Sequence, residues 1–322
     1  TPIAGAPGVC AIVIEGKTEA GRPISRKINC GFDALADYER DGLNDKPGTV
    51  ERRRAMPVED FYIDFARASF GEELAVPAGR VLARVDGLAM PQSTHWERGP
   101  GAITPLPPAP GEFAFVAELE ALRPRVRGAG NLERFDYWLN TFRYQRALAA
   151  VGGLRAELDS VLARLLNADG SETQKTLAQE AVAIRVRLAR AWEQMMSHLV
   201  SATDTPGELG TIANLEQHSR ATLLFLNYYD RKLAEVLGQP LPPETEPGKT
   251  YRGPARLAVL AVRGAAAPGE SLNLRVLAVD ERPVERVELH WRPLGSGAFS
   301  TLPAGNLGRS VFHVDLPAGA ED

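Results

Sequence analysis

The sequence is poor in cysteine and contains no long apolar run. Its 322 residues include two cysteines, Cys10 and Cys30, which are too few for a disulfide framework or a zinc-ligand set and allow one bridge at most. No apolar stretch approaches the roughly 18 residues that a membrane span requires, and no signal-peptide pattern is present. We therefore expect no membrane-spanning segment.

An excess of basic charge is also missing. The 37 Lys and Arg residues are outnumbered by 41 Asp and Glu residues, for a net charge of −4. This balance offers no attraction for polyphosphates or anionic membranes, so nucleic acid is not an expected partner. With 44% hydrophobic residues the composition is typical of a soluble globular protein, and the length favours two or three domains.

Motifs that bind cofactors or metals are absent. Gly128-Ala-Gly130 begins a dinucleotide-binding pattern, but Glu133 occupies the place of the third glycine, so these residues indicate a turn that enters a helix. There is no phosphate-binding lysine loop, no pair of histidines at metal spacing and no serine nucleophile elbow. We expect no cofactor and no metal.

The first half of the chain predicts short helices after a poorly defined start. Residues 10–15 are compatible with one buried strand, but the rest of 1–55 shows neither helical nor strand periodicity. A short amphipathic helix is expected from Val58 to Gly71. A shorter helix over 80–85, a proline-rich loop over 91–111 and a helix over 112–122 follow.

The strongest helical periodicity lies between residues 131 and 238. It predicts one long helix with a kink or break at Gly152-Gly153, a second helix that begins at Ser171 with a capping box to Gln174, and a third that begins at Thr205 with Glu208 in the same role. Because the connecting loops are short, consecutive helices must be antiparallel. The expected result is an up-down-up three-helix bundle within a helical domain over 56–238.

The C-terminal part predicts β structure. Residues 239–254 contain five prolines and indicate a semi-rigid linker. Beyond them the apolar period drops to two, which predicts five strands near 255–263, 271–279, 284–293, 298–302 and 309–316. An immunoglobulin-like or fibronectin-like sandwich has about seven strands, so 255–322 is expected to be a truncated sandwich. The predicted fold class is multi-domain, mainly α followed by β.

Two polar clusters within the predicted bundle are candidates for sugar binding, because sugar recognition uses flat apolar rings together with hydrogen-bonding side chains. The first cluster lies on one helix and consists of Asp136, Tyr137, Asn140, Arg143 and Tyr144. A weaker second wall is formed by Asn214, Gln217 and His218, and His95-Trp96 is a candidate lid. The alternative is structural: buried aromatic rings, and polar groups that pair with other side chains or face solvent.

Four segments carry a family resemblance: residues 59–71, 132–144, 206–218 and 287–295. They resemble the helices and C-terminal module that follow the catalytic barrel of large bacterial exported glycoside-hydrolase-like proteins. In such proteins a (β/α)₈ barrel supplies the catalytic carboxylates. Residues 31–35 resemble a late barrel strand, so 1–55 is a possible barrel remnant, and a chain that begins at Thr1 is expected to be a fragment without its own catalytic pair.

The resemblance implies a function. It predicts a non-catalytic C-terminal portion of a secreted carbohydrate-active protein, extracellular or periplasmic, that supports or contributes to binding of an oligo- or polysaccharide. Its other partner would be the missing N-terminal barrel of the same parent chain. Whether the chain has enzymatic activity of its own stays open. The competing hypothesis is a structural or adhesion module that binds no sugar.

Overall fold

The structure is a computed structural model that describes the chain in segments. The described residues are 10–17, 23–30, 58–86, 94–95, 102–103, 108, 110–217, 220, 227–248, 250–260, 267, 269–293, 295, 297 and 298–317. They belong to two compact units, Thr1–Pro57 and Val58–Asp322. Helices dominate the second unit as far as residue 237, and antiparallel strands follow them.

The first unit contains one described β-hairpin. Strand β1 (Cys10–Lys17) pairs with the antiparallel strand β2 (Pro23–Cys30) over eight register pairs. The expected strand at 10–15 is therefore present, and β2 is an addition to it. Isoleucines at 24 and 28 recur on one face of β2, but the polar residues between them hide this short alternation in a sequence scan.

Two helices open the second unit. Helix α1 (Glu59–Phe70) ends at Gly71, as predicted, and Gly71 adopts a φ of 98° that favours glycine. Helix α2 (Glu72–Val85) follows at once, so the prediction that it covers only 80–85 is wrong.

Pro77 is the reason for that error, because proline inside a helix leaves the carbonyl four residues earlier without its donor. Here the freed carbonyl of Glu73 accepts a hydrogen bond from the Arg125 guanidinium at 3.3 Å. The Arg125 side chain also pairs with the Glu73 carboxylate at 3.2 Å. A distant side chain thus replaces the missing backbone bond, and the helix continues through the proline.

Helix α3 (Ala114–Leu122) follows the proline-rich segment and continues as a 3-10 turn over Arg123–Arg125. Within the segment that was predicted as loop, strands β3 (Thr94–His95) and β4 (Ala102–Ile103) form a short antiparallel pair. Its other residues up to 107 lie outside the described part.

Helix α4 (Ala129–Leu166) is 38 residues long and unbroken. The helix therefore does not break at Gly152-Gly153, and the alternative of a kink there stays a prediction. Gly152 and its neighbour Val151 are both buried. The packing of apolar neighbours on either side outweighs the roughly 1 kcal/mol that a glycine costs inside a helix.

Helix α5 (Ser171–Ser201) runs antiparallel to α4. Two ion pairs show the antiparallel direction, Arg164–Glu180 and Arg187–Glu157. The later residue on α4 pairs with the earlier residue on α5, and the earlier one on α4 pairs with the later one on α5. The predicted capping box between Ser171 and Gln174 is wrong. Gly170 occupies the cap position, so Ser171 is already helical, and the Gln174 amide donates instead to the Ala168 carbonyl.

The third predicted helix is described in two pieces. Helix α6 (Pro206–Asn214) begins with the predicted capping box, in which Thr205 and Glu208 satisfy each other's backbone N–H groups. Its backbone continues as a π-helical turn over 215–217. Helix α7 (Asn227–Leu237) then packs against α5 and buries Leu233 completely.

Two apolar clusters share helix α4. Its first half contributes Phe135, Leu139 and Phe142 to a cluster with α1, α2 and α3. Its second half contributes Val151, Leu158 and Leu165 to a cluster with α5 and α7, where Trp192 is fully buried. One helix thus joins both groups of helices.

The proline-rich segment after α7 contacts the helices. It forms a 3-10 turn at Pro243–Thr245, and Thr245 is buried. The backbone N–H of Gly248 donates to the Glu193 carboxylate on α5 at 2.6 Å. This packed segment differs from the extended spacer that its composition indicates.

The described residues of the C-terminal part form six strands, and they include all five predicted ones. A four-stranded antiparallel sheet has the order β5 (Arg256–Val259), β6 (Leu272–Val279), β10 (Val311–Leu316) and β9 (Gly305–Gly308), of which β9 was not predicted. Strands β7 (Glu288–Trp291) and β8 (Ser300–Pro303) form a separate pair.

Both faces of the larger sheet carry apolar contacts. Leu277 and Ala258 pack with Val200 at the end of α5. On the other face Val276 and Phe312 pack with residues next to β7 and β8. Arg256 at the start of β5 donates to the Thr203 carbonyl at 2.7 Å, so the sheet is also tied to the α5–α6 connection by a hydrogen bond.

Two helical glycines allow a matched test of this packing. A Cβ atom added at Gly79 of α2 would lie 2.6 Å from the Ile63 Cα of α1, whereas nothing lies within 4 Å of the same atom at Gly210 of α6. We expect Gly210→Ala to stabilise the fold by about 0.5–1 kcal/mol through helix propensity. Gly79→Ala should instead destabilise it by about 1–3 kcal/mol, because backbone must move.

Urea unfolding of both variants, followed by circular dichroism, measures the two changes. Equal stabilisation by both substitutions would contradict the close approach of α1 and α2.

Candidate functional site

The first predicted cluster lies on the first half of α4, where that helix meets α3, α5 and α6. Asn140 lies three or four positions from each of the other four residues, so all five share one side of the helix. Hydrogen bonds from this side of α4 reach residues on all three neighbouring elements or the turns beside them. The predicted cluster is therefore a meeting point of helices.

Asp136 pairs with Arg123 from the 3-10 turn after α3. The Arg123 guanidinium donates two hydrogen bonds, from Nε at 2.6 Å and from Nη2 at 2.8 Å, one to each carboxylate oxygen. This parallel arrangement is the strongest geometry for such a pair. The Asp136 carboxylate raises the pKa of Arg123 through these bonds, although burial opposes the shift. Asp136 is thus engaged within the chain.

Tyr137 joins α4 to the start of α6. Its hydroxyl donates to Glu208 at 2.7 Å, and the other oxygen of Glu208 accepts from the backbone N–H groups of Asp204 and Thr205. Burial, and then the neighbouring Glu208, raises the pKa of Tyr137 to about 12. Burial acts to raise the pKa of Glu208, but the hydrogen bonds it accepts hold that pKa below its ordinary value. The capping acid therefore has a second, tertiary role.

Arg143 contacts Glu120 of α3. Its Nε donates to Glu120 Oε1 at 2.9 Å, and Arg146 Nη2 donates to the same oxygen at 2.9 Å. Burial works to raise the pKa of Glu120, yet the two guanidinium groups lower it overall. Two cations and one anion leave one positive charge at this junction.

Asn140 contacts α5 through His198. The Asn140 Oδ1 atom and the His198 Nδ1 atom are 3.3 Å apart, and the Asn140 amide donates to the Asp136 carbonyl within α4. Burial, followed by the charges of Arg143 and Arg146, lowers the pKa of His198, while Glu120 acts in the opposite direction. A neutral imidazole is therefore favoured beside two cations.

The remaining predicted site residues that the structure describes are distributed over α4, α6, the π-helical turn and β3. Tyr144 packs against the α4–α5 core, and burial raises its pKa to about 12. Asn214 ends α6, and Gln217 is exposed in the π-helical turn. His95 lies in β3, while Trp96 and His218 lie outside the described residues. The idea that both clusters face one cleft stays a prediction.

The charged groups of the described cluster pair with other groups of this chain. Each of its carboxylates, at 120, 136 and 208, accepts hydrogen bonds from side chains or backbone groups of this chain. Among the described residues no group of three His, Cys, Asp or Glu side chains is arranged to hold a metal ion. Likewise, no helix among them is long and apolar enough to cross a membrane. The arrangement can hold helices together.

The partners of the cluster were missed in the sequence. Glu120 and Arg143 are 23 residues apart, and Asn140 and His198 are 58 apart. No local spacing connects them, because each pair forms only when separate helices pack. The ion pair between the buried Arg185 on α5 and the partly buried Asp230 on α7, at 2.7 Å, was missed for the same reason.

Aromatic rings beside the cluster are partly exposed. Phe61 and Phe65 lie one helical turn apart on α1, and the Phe65 ring meets the Trp138 ring edge to face at 6.1 Å. Phe61 is 65% exposed and Trp138 is 37% exposed. We call Phe61, Phe65 and Trp138 the aromatic surface.

Comparisons with family models, with curated proteins and with solved structures found no match.

His198 provides a pH-dependent test of the cluster. Its pKa is lower in the folded chain than in the unfolded chain, so the unfolded state binds more protons between the two values and stability rises with pH in that window. This contribution is fully present above about pH 6.5, the ordinary value for histidine, and is lost as pH falls toward the folded pKa. We expect His198→Gln to reduce the slope of the unfolding free energy against pH in the window just below about pH 6.5.

Denaturant unfolding at several pH values compares the two slopes. Glu120 and Glu208, whose pKa values are lowered, lose their contributions only in more acidic solution, so they do not obscure the comparison. Identical slopes for the two proteins would contradict the buried neutral imidazole.

Proposed function

We propose that this chain is a non-catalytic supporting part of a larger exported carbohydrate-active protein, and that its polar cluster on α4 joins helices rather than binding sugar. The observation that carries the second half of this proposal is the bidentate Arg123–Asp136 pair, at 2.6 and 2.8 Å. A sugar hydroxyl that reached Asp136 would have to displace these charge-assisted bonds. Such displacement costs more than a neutral hydroxyl returns.

The other predicted contacts support the same proposal. Tyr137 donates to Glu208, and Arg143 donates to Glu120. The groups that would hold sugar hydroxyls therefore already satisfy each other within the chain. The carbohydrate context comes from the resemblance alone, which also implies a barrel domain with the catalytic carboxylates and an extracellular or periplasmic location.

The finer architecture belongs to this proposal as well. We expect α6 and α7 to act as one interrupted third helix, which would complete an up-down-up bundle with α4 and α5. We also expect the four-stranded sheet and the β7–β8 pair to represent the two halves of an immunoglobulin-like or fibronectin-like sandwich. Apolar contacts between the larger sheet and residues next to β7 and β8 favour this arrangement.

A double-mutant cycle combined with polysaccharide binding tests the proposal. We expect Asp136→Asn and Arg123→Gln each to destabilise the full chain, with a coupling of about 1 kcal/mol for this partly exposed pair. Retention of the chain in polysaccharide-containing native gels should not change in either variant. Reducing-sugar release from an oligosaccharide panel should equal that of a mock preparation.

Two results would overturn the proposal. Hydrolysis by the purified chain above the mock preparation would show that it is catalytic. Loss of polysaccharide retention in Asp136→Asn, without energetic coupling to Arg123, would assign Asp136 to sugar binding.

A second candidate function, direct sugar binding, is favoured by the aromatic surface. Exposed rings stack on the apolar faces of sugars, and Phe61 and Trp138 are 65% and 37% exposed. For this function we expect Trp138→Ala to weaken the affinity for at least one polysaccharide by about 10-fold, because one stacking contact is lost. Phe299→Ala is the matched control, since Phe299 is 60% exposed but lies in the β part.

Native gels with a series of polysaccharide concentrations measure these affinities. If Trp138→Ala and Phe299→Ala behave alike, or if the unsubstituted chain is not retained, the structural alternative without sugar binding stands.

A further inference from the structure

The two cysteines of the chain are brought opposite each other by the first hairpin. Cys10 is the first residue of β1 and Cys30 is the last residue of β2, and their Cα positions form one register pair. Twenty positions separate them in the sequence, so only the pairing of the strands places them together. They occupy the open end of the hairpin, away from the connection over 18–22.

The backbone geometry of such a pair suits a disulfide. Directly opposite residues of an antiparallel pair have Cα atoms about 5.5 Å apart at hydrogen-bonded positions and about 4.5 Å apart at the others. A disulfide requires a Cα separation of roughly 4.4–6.8 Å. Both kinds of position satisfy this requirement, so the conclusion does not depend on which kind Cys10 and Cys30 occupy.

The two cysteines also lie on the face of the hairpin that carries its isoleucines. Alternation along the strands, combined with the register, assigns one face to Cys10, Ile12, Ile14, Gly16, Ile24, Arg26, Ile28 and Cys30. The other face contains Ala11, Val13, Glu15, Lys17, Pro23, Ser25, Lys27 and Asn29. All four isoleucines of the hairpin therefore share a face with the two cysteines, which lie at the end of that row.

A two-stranded hairpin gains much from such a cross-link. Two strands alone are marginally stable in water, and their open end separates most easily. In the described part of the first unit these two strands are the whole of the regular structure. A covalent bond at the outermost pair restricts the unfolded chain and holds the open ends together.

We propose that Cys10 and Cys30 form an intrachain disulfide that closes the open end of the β1–β2 hairpin, and that the chain therefore matures in an oxidising compartment. The proposal is independent of sugar binding. It agrees with the exported location that we infer from the resemblance, since disulfides persist outside the reducing cytosol.

The bond forms by thiol–disulfide exchange with a small-molecule disulfide such as oxidised glutathione, or with an oxidoreductase disulfide. One cysteine thiolate attacks the donor disulfide and forms a mixed disulfide, which releases the first donor thiol. The second cysteine thiolate then attacks the protein sulfur of that mixed disulfide and releases the second donor thiol. The protein sulfurs lose two electrons, the donor sulfurs gain them, and the two thiol protons end on the released donor thiols.

Tryptic peptides allow a direct test on the full chain. The chain is purified after folding with oxidised and reduced glutathione, free thiols are alkylated, and the protein is digested without reduction. Trypsin cleaves after Lys17, Lys27 and Arg40, so Cys10 and Cys30 fall in different peptides, 1–17 and 28–40. We expect one linked species whose mass equals the sum of both peptides less two hydrogens, and which separates on reduction.

Hydrogen exchange measures what the bond does. Reduction should lower the protection of amides in β1 and β2 on the order of 100-fold, the effect of opening a loop of this length, while amides of α5 serve as an unchanged internal reference. Cys10→Ser/Cys30→Ser should behave like the reduced chain and should not respond to reductant. Each single variant should leave one thiol that is fully alkylated.

Three results would overturn the proposal. The first is alkylation of both cysteines in the glutathione-treated chain. The second is a linked species that migrates as a covalent dimer. The third is equal hydrogen-exchange protection of the β1 and β2 amides in the oxidised chain and in the double variant.

Discussion

The continuity of helix α4 is the constraint on which the second unit depends. At 1.5 Å per residue its 38 residues extend for about 57 Å, longer than one small apolar core. One half packs with α1, α2 and α3, and the other packs with α5 and α7. A break at Gly152 would uncouple these two clusters, so the packing around that glycine determines whether they act as one body.

Charged side chains reinforce this helix where apolar contacts end. Arg123–Asp136, Arg143–Glu120 and Tyr137–Glu208 connect α4 to three different partners, and His198 adds a fourth contact from α5. A row of aromatic and charged residues on one helix therefore has two interpretations that look identical in the sequence. Polar groups that bind sugar must be available to the ligand, whereas polar groups that join helices are paired within the chain. The contacts of the described cluster favour the second interpretation.

Local signals explain which sequence predictions were correct. The capping box of Thr205 and Glu208 involves residues three apart, and the structure has it. The same pattern at Ser171 failed because Gly170, with a φ of 89°, takes the cap position one residue earlier. Pro77 shows that a local signal for helix termination can be overridden. The helix continues through this proline because Arg125, from another element, donates to the carbonyl that the proline leaves without a partner.

The sequence by itself determined that a mainly helical part precedes a β part, and it located the start of α6, the end of α1 at Gly71 and the period of the later strands, because these depend on residues a few positions apart. Only the tertiary structure decided that α4 is unbroken, that Asp136 and Arg143 are engaged, and that Cys10 faces Cys30 across the hairpin. Each of these depends on groups at least 13 positions apart, or on helix packing around Gly152, and no local spacing encodes them. Chain entropy opposes such distant contacts, so they exist only where the whole fold compensates for it.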